Sequence, residues 1–200
     1  MIQGETTMSA EVEYFKIGVV GSAGSGKTSF AEALAKTLAV DFLKSKEITQ
    51  DILNRDHYDY TSGIQIERFL ANSGRQNEIL RRTLEQHEVE QFVTDRTVVD
   101  LAAYVLCEMN GDPRIVENII NTCKKNVTRY THLFLCPWRD TPVTDNKKRT
   151  LNTWYQFMIH TVERGIMDDW GCKYYIIEPN DVLTRVSDAL KILGISPENS

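Results

Sequence analysis

One stretch, "GSAGSGKTS" from Gly21 to Ser29, limits what this 200-residue chain can fold into more than any other. It carries G-x-x-x-x-G-K-[ST] as Gly21, Gly26, Lys27 and Thr28, between a short apolar run, "YFKIGVV", and a helical pattern, "KTSFAEALAKTL". The motif's mechanism requires that order. The glycines let the backbone approach phosphates closely. The N–H groups from Ser22, Ala23, Gly24, Ser25 and Gly26 through to Ser29 then point inward at a helix N-terminus, where the helix dipole favours an anion. Lys27 is placed to reach β- and γ-phosphates, and the Thr28 hydroxyl to meet Mg²⁺. The expectation is a nucleoside triphosphate site.

The rest of the chain alternates apolar runs with helical periodicity. "VDFLKSKEI" is expected to contain a second strand, "QFVTD" a third, "THLFLC" a fourth and "CKYYIIE" a fifth. Between them lie helical patterns at about Ile64 to Glu90, "TVVDLAAYVLCEM", "PRIVENIINTCKKN", a long helix reaching about Met167, and "DVLTRVSDALKIL". Short buried strands separated by helices predict an α/β fold, a five-stranded parallel sheet covered on both faces. Ligands of such sheets bind beyond the carboxyl ends of the strands. Residues 1–13 read as a polar lead-in and 14–200 as a single domain.

Bulk properties narrow the partners. A net charge of -5 gives no global attraction to nucleic acid or to acidic membranes. The cysteines Cys107, Cys123, Cys136 and Cys172 are scattered, without metal-ligand spacing, as expected of free thiols in a reducing cytoplasm. No stretch has the length of a membrane span, and the N-terminus lacks a signal peptide's apolar core. The four histidines are dispersed and are assigned no chemistry.

A triphosphate site still leaves several classes open. A GTP switch would carry N-K-x-D, but "NKKR" puts Arg149 where the guanine-reading aspartate belongs. A motor ATPase would end an apolar strand in Asp-Glu, whereas the third strand ends in Asp95-Arg96. Small-molecule kinases remain, with ATP and acceptor side by side. Asp95 is a candidate for the Mg²⁺ shell, together with Thr28, or for the general base, and Arg96 for holding phosphates. Glu47, expected at the carboxyl edge of the second strand, is a second candidate base. Lys147, Lys148 and Arg149 follow the fourth strand, and Arg149 is the candidate lid cation that closes over the transferring group. Arg75 and Gln76 are candidate acceptor ligands, with Tyr58, Tyr60 and Phe69 as rings able to stack on a base.

Taken together, "GSAGSGKTSF", "KEITQDIL", "GIQIERFLANSGRQ", "VTDRTVVDLAAY" and "PWRDTPVTDNKKR" resemble the P-loop nucleoside and nucleotide kinases. The similarity is to the thymidylate-kinase-like branch and the ribosylnicotinamide-kinase-like domains, over about Phe15 to Leu193. It implies that Asp95 and Arg96 serve the metal and the acceptor, and that Arg149 is the lid arginine. Two departures stand out: Gln50 replaces an arginine common after the second strand, and the lid lacks an Asp-Gly-x-Arg string. "KEITQDILNRDHYDYTSG" and "FVTDRTVVDLAAY" also resemble phage kinases of 5-hydroxymethyluracil in DNA. That resemblance implies a hydroxymethyl acceptor on a flipped base, with Lys124, Lys125, Arg81 and Arg82 as backbone contacts. Kinases of free nucleosides or nucleoside monophosphates stay open, as does an ATP-binding switch with no acceptor.

Overall fold

The computed structural model describes residues 14–62, 64–108, 112–139, 152–178 and 181–195. Five parallel strands form one sheet, β1 (Lys16–Val20), β2 (Asp41–Leu43), β3 (Phe92–Thr94), β4 (His132–Leu135) and β5 (Tyr175–Ile176). Their order across the sheet is β2-β3-β1-β4-β5. The strand before the phosphate motif is thus flanked directly by the strand that ends at Asp95, with Ile17 opposite Val93 and Gly18 opposite Thr94. On its other side Gly18 is opposite Leu133 and Val20 opposite Leu135.

Alternation along the strands divides the core in two. Ile17, Val19, Val93 and Phe134 face α1 (Lys27–Leu38) and α8 (Val182–Ile192), packing with Phe30, Leu34, Val186 and Leu190. Val20, Phe92, Leu133 and Leu135 face the opposite layer. That layer includes α2 (Ser45–Arg55), α4 (Ser73–Gln86), α5 (Val98–Glu108), α6 (Pro113–Asn126) and α7 (Thr153–Asp169). Phe30 and Leu34 lie one helical turn apart and are fully buried, each contributing roughly 1.5–3 kcal/mol.

Two elements differ from the sequence expectation. The second strand stops at Leu43, and the chain turns into α2 from Ser45. Ile48 and Ile52, four residues apart and both buried, have the helical spacing that pulls this segment out of the sheet. The long helical stretch from Ile64 is also broken, into α3 (Ile66–Leu70) and α4. Asn72 causes the break: its side chain accepts from Gly74 N and Arg75 N and so starts a new helix.

Candidate active site

The phosphate cradle is held from three sides. Gly21 abuts the backbone beyond β4, where a Cβ would lie 2.7 Å from the Cys136 carbonyl oxygen. Gly26 takes φ +81°, and a Cβ there would come 2.9 Å from Arg185 Nη1. Arg185, on α8 and 3% exposed, donates to the Ser25 carbonyl at 2.9 Å. Ala23 N donates to Gln156 Oε1 of α7, also at 2.9 Å. Residues distant in sequence thereby fix the loop's backbone. Lys27 Nζ reaches the Ser22 carbonyl at 3.4 Å.

Asp95 sits at the end of β3, 3% exposed, and its Oδ2 accepts from the Thr28 hydroxyl at 2.7 Å. A hydroxyl and a carboxylate so close together beside a phosphate loop are hard oxygen donors. They fit Mg²⁺, which is commonly held by one or two protein oxygens and completed by phosphates and water. No cluster of three or more His, Cys, Asp or Glu able to hold a metal occurs among the described residues.

The chain leaves this strand through Arg96 and is caught at once by a reciprocal cap at the start of α5. Asp100 Oδ2 accepts from Thr97 N at 2.8 Å and from Thr97 Oγ1 at 2.7 Å, while Thr97 Oγ1 accepts from Val99 N and Asp100 N. This cap fixes the turn that presents Arg96. Behind it lies Glu163 of α7, fully buried. Burial pushes both carboxyls up, most strongly Glu163, which is also raised by the neighbouring Asp100; nearby Lys27 opposes the shift in each. Asp100 already accepts two bonds from Thr97, which oppose its shift, so the upward shift falls more on Glu163.

Beside the cradle opens a cavity of about 370 Å³. Lys27, Thr28, Asp95 and Arg96 line its cradle end, and Lys44, Lys46, Thr49 and Gln50 line one wall. Glu67, Gln76, Tyr104 and Glu108 contribute polar groups from α3, α4 and α5. The Arg96 guanidinium lies 5.8 Å from the centre of the Tyr104 ring.

The structure distributes the remaining candidates unevenly. Glu47 falls in the first turn of α2, exposed, and is not among the cavity-lining residues. This corrects the expectation that it ends a strand: the early start of α2 removes it from the sheet edge. Gln76 lines the cavity and donates to the Leu70 carbonyl at 2.8 Å. Arg75 is held elsewhere, donating to Asp56 at 2.7 Å and lying 3.9 Å over the Phe69 ring. Tyr58 packs against Tyr60 and Phe69 and donates to the Ile64 carbonyl, outside the cavity lining. Tyr60 accepts from Gln50. Arg149, Lys147 and Lys148 lie outside the described residues. Of the expected DNA-backbone contacts, Arg81 pairs with Glu85, Arg82 with Asp51 and Lys124 with Asp169. Tyr104, Glu67, Gln156, Arg185 and Glu163 belong to the site without standing in the phosphate motif or the Asp95-Arg96 pair. The phosphate motif gave no pointer to any of them.

The deoxyadenosine kinase of M. mycoides superposes with a TM-score of 0.61 at 16% identity, over 90% of this chain and 99% of that one. The thymidylate kinase of Candida albicans gives 0.59 at 12% identity, over 89% and 90%. The NadR protein gives 0.66 at 13% identity, over 94% of this chain and 51% of that one. No curated protein matches in sequence. These likenesses establish the P-loop fold seen in nucleoside and nucleotide kinases. The family model described as an AAA domain matches residues 16–185, from the first strand to the arginine that braces the cradle, and the chain belongs to that family.

Proposed function

We propose that this protein is a Mg²⁺-dependent kinase that moves the γ-phosphoryl group of ATP to a hydroxyl of a nucleoside-type acceptor. One observation carries the reading: the cradle and the adjoining cavity share Lys27, Thr28, Asp95 and Arg96. Donor phosphates and an acceptor can therefore meet across one set of charges. A motor ATPase has no use for such a second compartment, and Arg96 stands where its catalytic glutamate would be.

In this reading Lys27 and the loop amides bind the triphosphate, and Arg96 draws charge from the transferring group. Thr28 and Asp95 would hold Mg²⁺, which would supply positive charge to offset that of the phosphates. The acceptor oxygen bonds to the γ-phosphorus as the bond to the β–γ bridging oxygen breaks. ADP leaves with that electron pair, and the hydroxyl proton passes to the Asp95 carboxylate. Glu47, off the cavity wall, is given no part.

Among acceptors we favour the hydroxymethyl group of 5-hydroxymethyluracil within DNA. The resemblance of "FVTDRTVVDLAAY" and its companion stretch supports this choice, as does a cavity of a size for one base and its sugar. The test is labelled ATP offered with nucleosides, nucleoside monophosphates and hydroxymethyluracil-containing DNA. Label on the DNA is expected. Label on monomers alone would remove the DNA acceptor, and steady ADP production with no labelled acceptor would remove the kinase.

A further inference from the structure

The cavity lining raises a question of charge. Lys44 caps the start of α2 just after β2, Lys46 lies in the first turn of α2, and both line the cavity with Arg96. Gln50 stands on the same wall, but its amide nitrogen already donates to Asn54 Oδ1 at 2.9 Å and to Tyr60 at 2.8 Å. Its hydrogens are therefore committed, and the lysines are the donors this wall has left. Lys46 is exposed and has no ion pair among the described residues. Lys44 lies 5.5 Å over the Phe42 ring, and its one ion pair among the described residues is a long contact to Glu32, 3.8 Å, with both side chains well exposed, too weak to neutralise it. Other cations nearby are spent on carboxylates: Arg75 on Asp56, Arg82 on Asp51, Arg55 on Glu78.

Residues of α3 and α5 give the lining the reverse sign elsewhere. They are Glu67 and Glu108, and both raise the half-buried Tyr155 phenol, whose shift is due first to burial and then to Glu108. An uncharged nucleoside in this cavity would leave the two ammonium groups to water, with no use made of their charge. The cavity suits a ligand that carries its own anion at one end.

We propose that the acceptor bears a phosphate, which the Lys44 and Lys46 ammonium groups hold at the start of α2, while its hydroxyl faces Asp95. This deepens, and rests on, the kinase reading above. The phosphate has two possible sources, a free nucleoside monophosphate or the phosphodiester flanking a base in DNA, and both present the same oxygens to the lysines.

Equilibrium binding separates this inference from the transfer reaction. With the cradle filled by Mg·ADP, the standard deoxynucleosides and 5-hydroxymethyl-2′-deoxyuridine are titrated beside their 5′-monophosphates and a short single strand containing each base. At least one phosphorylated form should bind about tenfold or more tightly than its nucleoside. Lys44→Ala and Lys46→Ala should each erase most of that preference, and Lys46→Gln should not restore it. A preference for the monophosphate assigns the free nucleotide, and one for the strand alone assigns DNA. If no phosphorylated form outbinds its nucleoside, or if both lysine variants keep the preference, the inference is overturned. Lysine-dependent phosphate preference without label transfer to any acceptor would uphold the site and sink the kinase reading.

Discussion

Asp95 accepts the Thr28 hydroxyl at 2.7 Å across a gap of 67 residues, and this contact joins two motifs that the sequence shows separately. Each motif is legible alone, because consecutive residues on a strand end or a loop have a chemistry that spacing reveals. What the sequence does not reveal is which distant side chains secure them. Gln156 meets Ala23 over 133 residues, and only the packing of α7 against the cradle brings them together. At this scale two substitutions carry the mechanism. Lys27→Ala and Asp95→Asn are each expected to lower turnover by on the order of a hundredfold, read as initial rates of ADP formation. A near-normal rate for Asp95→Asn would take the metal role from this residue. Gly26→Ala tests the cradle's backbone, since a Cβ at φ +81° is strained and meets Arg185. It should weaken ATP affinity while the fold persists, as followed by circular dichroism.

Among elements, α8 has a function that its sequence does not announce. It reads as an ordinary amphipathic helix, yet it delivers Arg185, 3% exposed, to the Ser25 carbonyl. A charged hydrogen bond of this kind contributes roughly 1.5–3 kcal/mol. Arg185→Met is therefore expected to loosen the loop and weaken nucleotide binding about tenfold or more, measured by titration with a fluorescent ATP analogue. Unchanged affinity would reduce α8 to a packing element. The α2 boundary shows how a local reading goes astray. "VDFLKSKEI" has the composition of a strand, but Ile48 and Ile52 bury on helical spacing, and that tertiary gain outweighs the local pattern. The consequence is functional: Lys44 and Lys46 reach the cavity where Glu47 was expected. By contrast, the helix after Asp95 was legible to within a residue or two from the apolar pattern of "TVVDLAAYVLCEM", and the structure adds the Thr97 and Asp100 cap that starts it.

At the scale of the whole molecule, the alternation of strands and helices was readable, and the sheet order explains why the cradle adjoins Asp95. Two buried titratable sites remain that periodicity does not reveal, and they make stability depend on pH in opposite directions. Burial, then Arg129 and Lys16, depress His87 to about 4, where it lies stacked on Phe92 and beside the Tyr130 hydroxyl. The unfolded chain takes up that proton near 6.5, so stability is full above this value and falls as pH drops toward 4, by roughly 3 kcal/mol. His87→Gln should flatten that acid limb in thermal melts, whatever it costs at neutral pH. Glu163 has a raised folded pKa, so its contribution is full below the ordinary glutamate value and is lost as pH rises through the folded one. Glu163→Gln, which copies the protonated form, should remove the decline that sets in as pH rises above the ordinary glutamate value. A large loss of stability at neutral pH would mean that Glu163 is ionised there.

In the proposed mechanism the charges shared by cradle and cavity serve transfer and not hydrolysis. The most direct measurement is the amount of label recovered on an acceptor per ATP consumed, in a single turnover with hydroxymethyluracil DNA, nucleosides and monophosphates present. A ratio approaching one is expected, with both quantities falling together in Asp95→Asn. A ratio near zero alongside continuing ADP release would contradict that mechanism.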